Sequence, residues 1–171
     1  MTMFFHFNRI AVFAVIVVTI LCTPTVFAAT DDACTLLTQA QVTAAVGTPV
    51  AAGTHVTPTF TKTCTWTPTT SGTGIKAVTL NLQTASIYDG GKSKTQFALG
   101  AANASTPGAS MAIIPVSGLG DDAYFFGSQG SFMLFVKKGA GAFKVAIYGK
   151  PPSTDTQTAE KNLAQQVLAK M

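Results

Sequence analysis

Between Thr57 and Thr67 the chain reads T-P-T-F-T-K-T-C-T-W-T, with threonine on every odd position and Pro58, Phe60, Lys62, Cys64 and Trp66 between. Side chains alternate across a strand, so this pattern can bury one row and expose the other only as extended chain. The even row holds the only tryptophan and one of the three cysteines of the sequence, so it is the row expected to face a core. The spacing predicts a strand over Val56–Thr67 whose other face is a solvated threonine row. Pro58 cannot donate to a ladder, which places the start of that strand at a sheet edge.

The first segment is set aside before any fold argument. Met1–Ala28 has a short front containing Arg9, an apolar run Ile10–Cys22, and then Thr23-Pro24-Thr25-Val26-Phe27-Ala28. Val26 and Ala28 fit the small-residue cleavage pattern of a secretory signal peptide. The apolar run is shorter than the ~20 residues of a comfortable membrane span. Residues 1–28 are therefore expected to be a signal peptide and 29–171 a single domain, periplasmic or secreted, with no stable membrane span after cleavage. Cys22 follows Leu21 rather than a small residue, and Cys34 follows two aspartates beyond the apolar run, so neither reads as a lipid-bearing cysteine.

Past Ala28 the chain has ten lysines, no arginine and one histidine, His55. Ten lysines against seven acids leave +3, with close lysines only at Lys92/Lys94 and Lys137/Lys138. Nucleic-acid surfaces are clustered and rich in arginine, so no nucleic-acid partner is expected. Two cysteines remain, Cys34 and Cys64, and an even pair in an exported chain reads as a disulfide. Closing a loop of about 30 residues contributes ~3–4 kcal/mol in the chain-entropy account. Two cysteines and one histidine at these spacings match no zinc framework, so neither a metal nor a cofactor is expected.

Thr38-x-x-Gln41 has the form of a capping box, with Leu37 and Val42 placed as a hydrophobic staple and Gly47 then Pro49 as a stop, which predicts a helix over Gln39–Val46. After a turn over Pro68–Gly74, Lys76–Thr84 alternates Val78, Leu80 and Leu82 with Thr79, Asn81 and Gln83, the pattern of a half-solvated hairpin partner. Asp89-Gly90-Gly91 reads as a breaker. Ser93-x-x-Gln96 reads as a second capping box, opening a short helix through Phe97 to about Ala102. Asn103–Ala109 reads as a loop carrying the Asn103-Ala104-Ser105 glycosylation sequon. Strands are expected at Met111–Val116, Asp122–Gly127, Ser131–Lys138 and Ala142–Tyr148, with a hairpin turn at Ser128-Gln129-Gly130. A final helix over about Asp155–Lys170 carries Ala159, Leu163, Ala164, Val167 and Leu168 on one stripe. The fold class is α+β: a mainly antiparallel sheet of five to six strands with two or three packed helices and one disulfide.

Asp32-Ala33-Cys34-Thr35-Leu36-Leu37-Thr38, the helix ending at Gly47, Cys64-Thr65-Trp66 and the turn Val116-Ser117-Gly118-Leu119-Gly120-Asp121-Asp122-Ala123-Tyr124 are carried by most of the 29–171 region. In these motifs the chain resembles an uncharacterised family of small exported bacterial proteins, many of them cell-envelope lipoproteins, with a Cys-x-Leu-Leu opening and a later Cys-x-Trp. The resemblance implies an α+β domain with one disulfide and implies no activity. This chain departs from the family in lacking a lipid-bearing cysteine, so membrane tethering is not carried over.

No catalytic constellation emerges. His55 is read as a solvent-exposed loop residue, and no Gly-x-Ser-x-Gly surrounds any serine. Asp121 and Asp122 are adjacent and would point to opposite faces of a strand, so they read as a turn whose aspartate accepts backbone hydrogen bonds. Gly118-x-Gly120 and Gly139-x-Gly141 lack the Lys-Ser/Thr of a phosphate loop and read as turns. The threonine row reads as a solvated strand face rather than an ice- or water-ordering array. The reading is therefore not an enzyme but an exported module of the cell envelope that binds a small ligand or another envelope protein. The alternative is a structural or inhibitor-like exported protein.

One surface stands out. If Phe132, Leu134, Val136, Phe143, Val145 and Ile147 face the helices, Met133, Phe135 and Tyr148 fall on the opposite side, together with Phe125 or Phe126. Burying such a side chain stabilises by ~1.5–3 kcal/mol, so this half of the back face needs a cover. Either the short middle helix and Phe97 supply it, or Met133, Phe135, Tyr148 and Phe125 form a contact face for a ligand or partner.

Overall fold

The computed structural model describes residues 32–72, 74–105, 111–128, 131–149 and 154–171. The expected signal peptide and its cleavage site lie outside these residues, as do Gln129 and Gly130 of the hairpin turn. The elements are a 3-10 turn (Ala33–Thr35), α1 (Gln39–Val46), β1 (Thr54–His55), β2 (Thr63–Trp66), β3 (Ala77–Thr84), α2 (Ala85–Ser105), β4 (Ala112–Pro115), β5 (Asp122–Ser128), β6 (Ser131–Lys138), β7 (Gly141–Tyr148) and α3 (Thr154–Leu168). The strands form one seven-stranded sheet in the order β1-β2-β3-β7-β6-β5-β4, antiparallel throughout. The α+β class holds, with more strands than the five or six expected.

The expected twelve-residue threonine strand is not continuous. Thr57-Pro58-Thr59-Phe60 closes a turn, with the Phe60 amide donating to the Thr57 carbonyl at 3.1 Å. Proline at the second position pre-sets the backbone for such a turn, and this local preference wins over the alternation. The chain folds back as a hairpin, pairing His55 with Cys64 and Thr54 with Thr65. Only Thr63 and Thr65 continue the threonine row in β2, while Cys64 and Trp66 are buried as expected.

Cys34 and Cys64 are bonded, with their Cα atoms 5.0 Å apart. The bond ties the 3-10 turn to β2 at the floor of the core. α1 begins at the capping box: Thr38 and Gln41 cap each other's backbone amides, and Gly47 closes the helix at φ 67°. Only glycine adopts that left-handed conformation without strain. Leu37 and Val42 are both buried, as a staple requires.

α1 and α3 pack on one face of the sheet. Trp66, Leu80, Leu134, Phe143 and Val145 from the strands meet Leu163 and Val167 from α3 in the main core. Leu168 only partly joins it. Phe125 also lies here, with its ring 6.4 Å from that of Phe132 and Lys161 of α3 over it. This corrects its expected place on the back face. The register pairs Phe125 with Leu134 and Phe126 with Met133, so it is Tyr124 and Phe126 that point backwards.

α2 departs most from expectation. It runs unbroken from Ala85 to Ser105. Asp89-Gly90-Gly91 is therefore a helical turn and no breaker, Ser93 is interior and no cap, and Asn103–Ser105 is helix rather than loop. Thr84 opens the helix instead, its Oγ1 accepting from the Ile87 amide at 3.3 Å. An interior Gly-Gly costs ~1 kcal/mol per residue relative to alanine. Anchors to the sheet offset that cost: Lys137 to Asp89 at 2.7 Å, Lys92 to Asp122, and Tyr88 edge-on to Tyr124 at 5.4 Å.

The turn before β5 behaves as expected. The Asp121 carboxylate accepts from the Gly139 amide at 2.7 Å, while Asp122 turns to the back face. A Cβ at Gly120 would stand 2.3 Å from the Lys137 carbonyl, so this turn packs directly on the backbone of β6.

Candidate functional site

The back face is an ordered lattice, and its register can be read row by row. Gln83, Ala142, Lys137 and Asp122 form the row nearest the start of α2. Asn81, Lys144, Phe135 and Tyr124 form the next, and Thr79, Ala146, Met133 and Phe126 the third. Thr63 and Thr65 extend the second and third rows on β2, and Ile113 extends the third on β4. Beyond its first row the face is thus polar on β2 and β3, small and cationic on β7, and apolar on β6, β5 and β4.

α2 crosses this lattice but seals only its first row. Tyr88 is buried against Tyr124 and Ala142, and Phe135 stacks on Tyr124 with the ring centroids 5.0 Å apart. Burial, together with the Asp122 carboxylate, pushes the Tyr124 hydroxyl up to about 12 and raises that of Tyr88 as well. The Tyr88 hydroxyl stands beside Asp122 but outside hydrogen-bonding geometry, and it has no partner. Burial is the largest single influence on the Asp122 carboxyl and would raise it, but the bond to Lys92 and the charges of Lys92 and Lys137 together hold it below its ordinary range.

Beyond Tyr88 the helix stands off the sheet and leaves a cleft of about 210 Å³. Ile87, Tyr88, Gly91 and Thr95 form its helical wall, and Tyr124, Phe126, Met133 and Phe135 its floor, with Gln83 at one end. Phe97, one of the two alternatives for covering this face, is 82% exposed and does not cover it. A second cavity of about 330 Å³ shares Ile87 and Gln83 and continues past Asn81 to Phe60 and Lys62. Met133 and Phe135 therefore lie on the back face, as the alternation implied, and line the cleft. Tyr148 lies on the same face in the row of Ala77 but does not line the cleft, and Phe125 is in the opposite core.

Compared with protein-family models, with curated proteins and with solved structures, the chain matches none. The site must therefore be argued from its own chemistry.

Three other places on the molecule offer space or polar groups. A depression of about 430 Å³ lies between α1 and α3 and is lined by Ala44, Ala45, Asn162, Gln165, Gln166 and Ala169, without an aromatic or a charge to orient a ligand. His55 is half-buried rather than exposed, with Nε2 2.9 Å from Asp32 Oδ1. That bond, more than any other influence, lowers the Asp32 carboxyl below its ordinary range. Asp32, Cys34 and His55 bring potential ligand atoms within 4.8 Å of one another, but the Cys34 sulfur is bonded to Cys64. Two ligand atoms remain, and the pair reads as a clasp holding β1 to the 3-10 turn.

The third is Glu160. It sits on the buried stripe of α3, and its Oε1 accepts from the Ile147 amide at 3.0 Å while Oε2 has no partner. The last β6–β7 pair is Met133 with Ala146, so Ile147 is the first β7 residue beyond that ladder. Burial pushes the carboxyl up to about 8. Glu160 completes the strand end where the ladder stops, a structural task.

Proposed function

We propose that this chain is an exported binding module whose ligand site is the cleft between α2 and the back of the sheet. The observation that carries the reading is the stand-off of α2. A helix anchored by Tyr88 and two ion pairs leaves Met133, Phe126 and Phe135 facing a gap rather than a packed neighbour. Interiors pack to crystal-like density, so an apolar gap of this size loses dispersion contacts that a ligand would restore. The two adjoining cavities together reach the ~300–1,000 Å³ of ordinary ligand sites, with apolar walls and a few polar groups. The disulfide and the expected signal peptide support an oxidising destination, periplasmic or secreted. No helix among the described residues is long and apolar enough to cross a membrane.

A non-enzymatic role is part of this proposal. The Cys34 sulfur beside the His55–Asp32 pair is bonded to Cys64, and Glu160 is occupied with the Ile147 amide. A second reading, contact with another envelope protein, draws on Ile87 and Phe97, which are 60% and 82% exposed on α2.

Replacing Phe135 by serine separates these roles from a merely structural one. Phe135 is half-buried, so the variant is expected to stay folded and to lose the thermal stabilisation that a bound apolar ligand gives the parent chain. Loss of several kcal/mol of stability instead would make Phe135 core and end the ligand reading.

A further inference from the structure

The chemistry around the cleft narrows its ligand, on the reading just given. Lys92, Lys137 and Lys144 face this side of the sheet around α2 with Asp89 and Asp122, and Lys62 lies at the far end of the adjoining cavity. Lys92 is matched to Asp122 and Lys137 to Asp89. Lys144 is left over: it sits in the second row between Asn81 and Phe135, its ammonium 6.0 Å from the Phe135 ring centroid and without a carboxylate among the described residues. It stands at the seam where the polar half of the face meets the aromatic half. An apolar cleft beside an unmatched cation is complementary to a molecule with one apolar end and one negative end.

Gly91 sets the room for the apolar end. Ile87, Gly91 and Thr95 are spaced four apart and so share one face of α2. All three line the cleft. A Cβ built on Gly91 meets nothing within 4 Å, so no packing neighbour requires glycine there. The absent side chain is a notch in the helical wall, facing the same space as Met133 and Phe126. The cleft of about 210 Å³ holds about seven water-sized groups at ~30 Å³ each, the bulk of a short acyl chain.

We propose that the cleft takes a free medium-chain monocarboxylate. The acyl chain lies between the Gly91 notch and the Met133–Phe126 row, and the carboxylate meets Lys144.

The test is calorimetric titration of the full exported chain with octanoate and, separately, with neutral 1-octanol. Octanoate is expected to bind at least about tenfold more tightly, the scale of a charge-assisted contact. Lys144→Gln should remove that preference, while Lys94→Gln, on the exposed side of α2, should keep it. Gly91→Leu fills the notch with a better helix former, and it should abolish binding of both probes without lowering the unfolding midpoint. Equal binding of octanoate and octanol would overturn the carboxylate assignment and leave the cleft standing. Undiminished binding to Gly91→Leu would place the ligand elsewhere. Binding of neither probe to the parent chain would overturn the cleft as an acyl site and with it the proposed function.

Discussion

Gly53 runs so close to the disulfide that an added Cβ would stand 2.7 Å from Cys64 Sγ and 2.7 Å from the Trp66 ring. Both neighbours are buried and neither can swing away. Gly53→Ala is therefore expected to destabilise the chain by about 1–3 kcal/mol, the usual cost of overpacking, measured as a shift in the denaturant midpoint. Glu160 makes a different prediction at the same scale. Its folded value of about 8 lies above its ordinary 4.5, so between those values the folded chain holds a proton that the unfolded chain has released. The contribution of Glu160 to stability should be full below pH 4.5 and be lost as pH rises through 8, by an amount on the order of a few kcal/mol. Glu160→Gln should flatten that slope in denaturation curves taken across this range. Neither residue could be assigned from the sequence. Nothing local to Gly53 shows that the disulfide passes it. Glu160 is the one glutamate of the sequence, and only the end of the β6–β7 ladder supplies the amide that it meets.

At the scale of elements, local patterns that agreed with their surroundings were legible. Capping by Thr38 and Gln41, the stop at Gly47, the alternation of β3, β6 and β7, and the apolar stripe of α3 all formed where their periodicity put them. The failures came where two local signals competed. In Thr57–Phe60 the turn chemistry of proline overrode the alternation. In Asp89–Gly91 the glycines suggested a break, but two ion pairs and the Tyr88 ring hold the helix through them. Both glycines stand in open space, so Gly90→Ala, away from the cleft, should raise stability by about 1 kcal/mol. A midpoint that falls instead would mean that α2 bends at Gly90.

For the whole molecule, the two-sided sheet was legible as soon as the strands were, because period-two alternation assigns each residue a face. Met133 and Phe135 were placed on the back face by that rule alone. Phe125 was misplaced because Tyr124-Phe125-Phe126 is apolar throughout, and only the pairing with β6 decides its phase. The walls from α2 were hidden by the misread helix. The disulfide joins the 3-10 turn to the sheet across a separation of 30 residues, and its reduction should cost ~3–4 kcal/mol, read as a lower denaturant midpoint with reductant present.

The central claim, that the cleft is the ligand site, can be read from one atom. Past Ala28 the chain has three methionines, Met111, Met133 and Met171. Met133 lines the cleft, Met111 precedes the edge strand β4, and the Met171 methyl lies beside Gly141. With ¹³C-methyl methionine the spectrum of residues 29–171 reduces to three signals, followed during titration with octanoate. The account predicts that the Met133 methyl shifts and saturates while the other two stay in place. A bound, saturating ligand that moves Met111 or Met171 and leaves Met133 unchanged would contradict it.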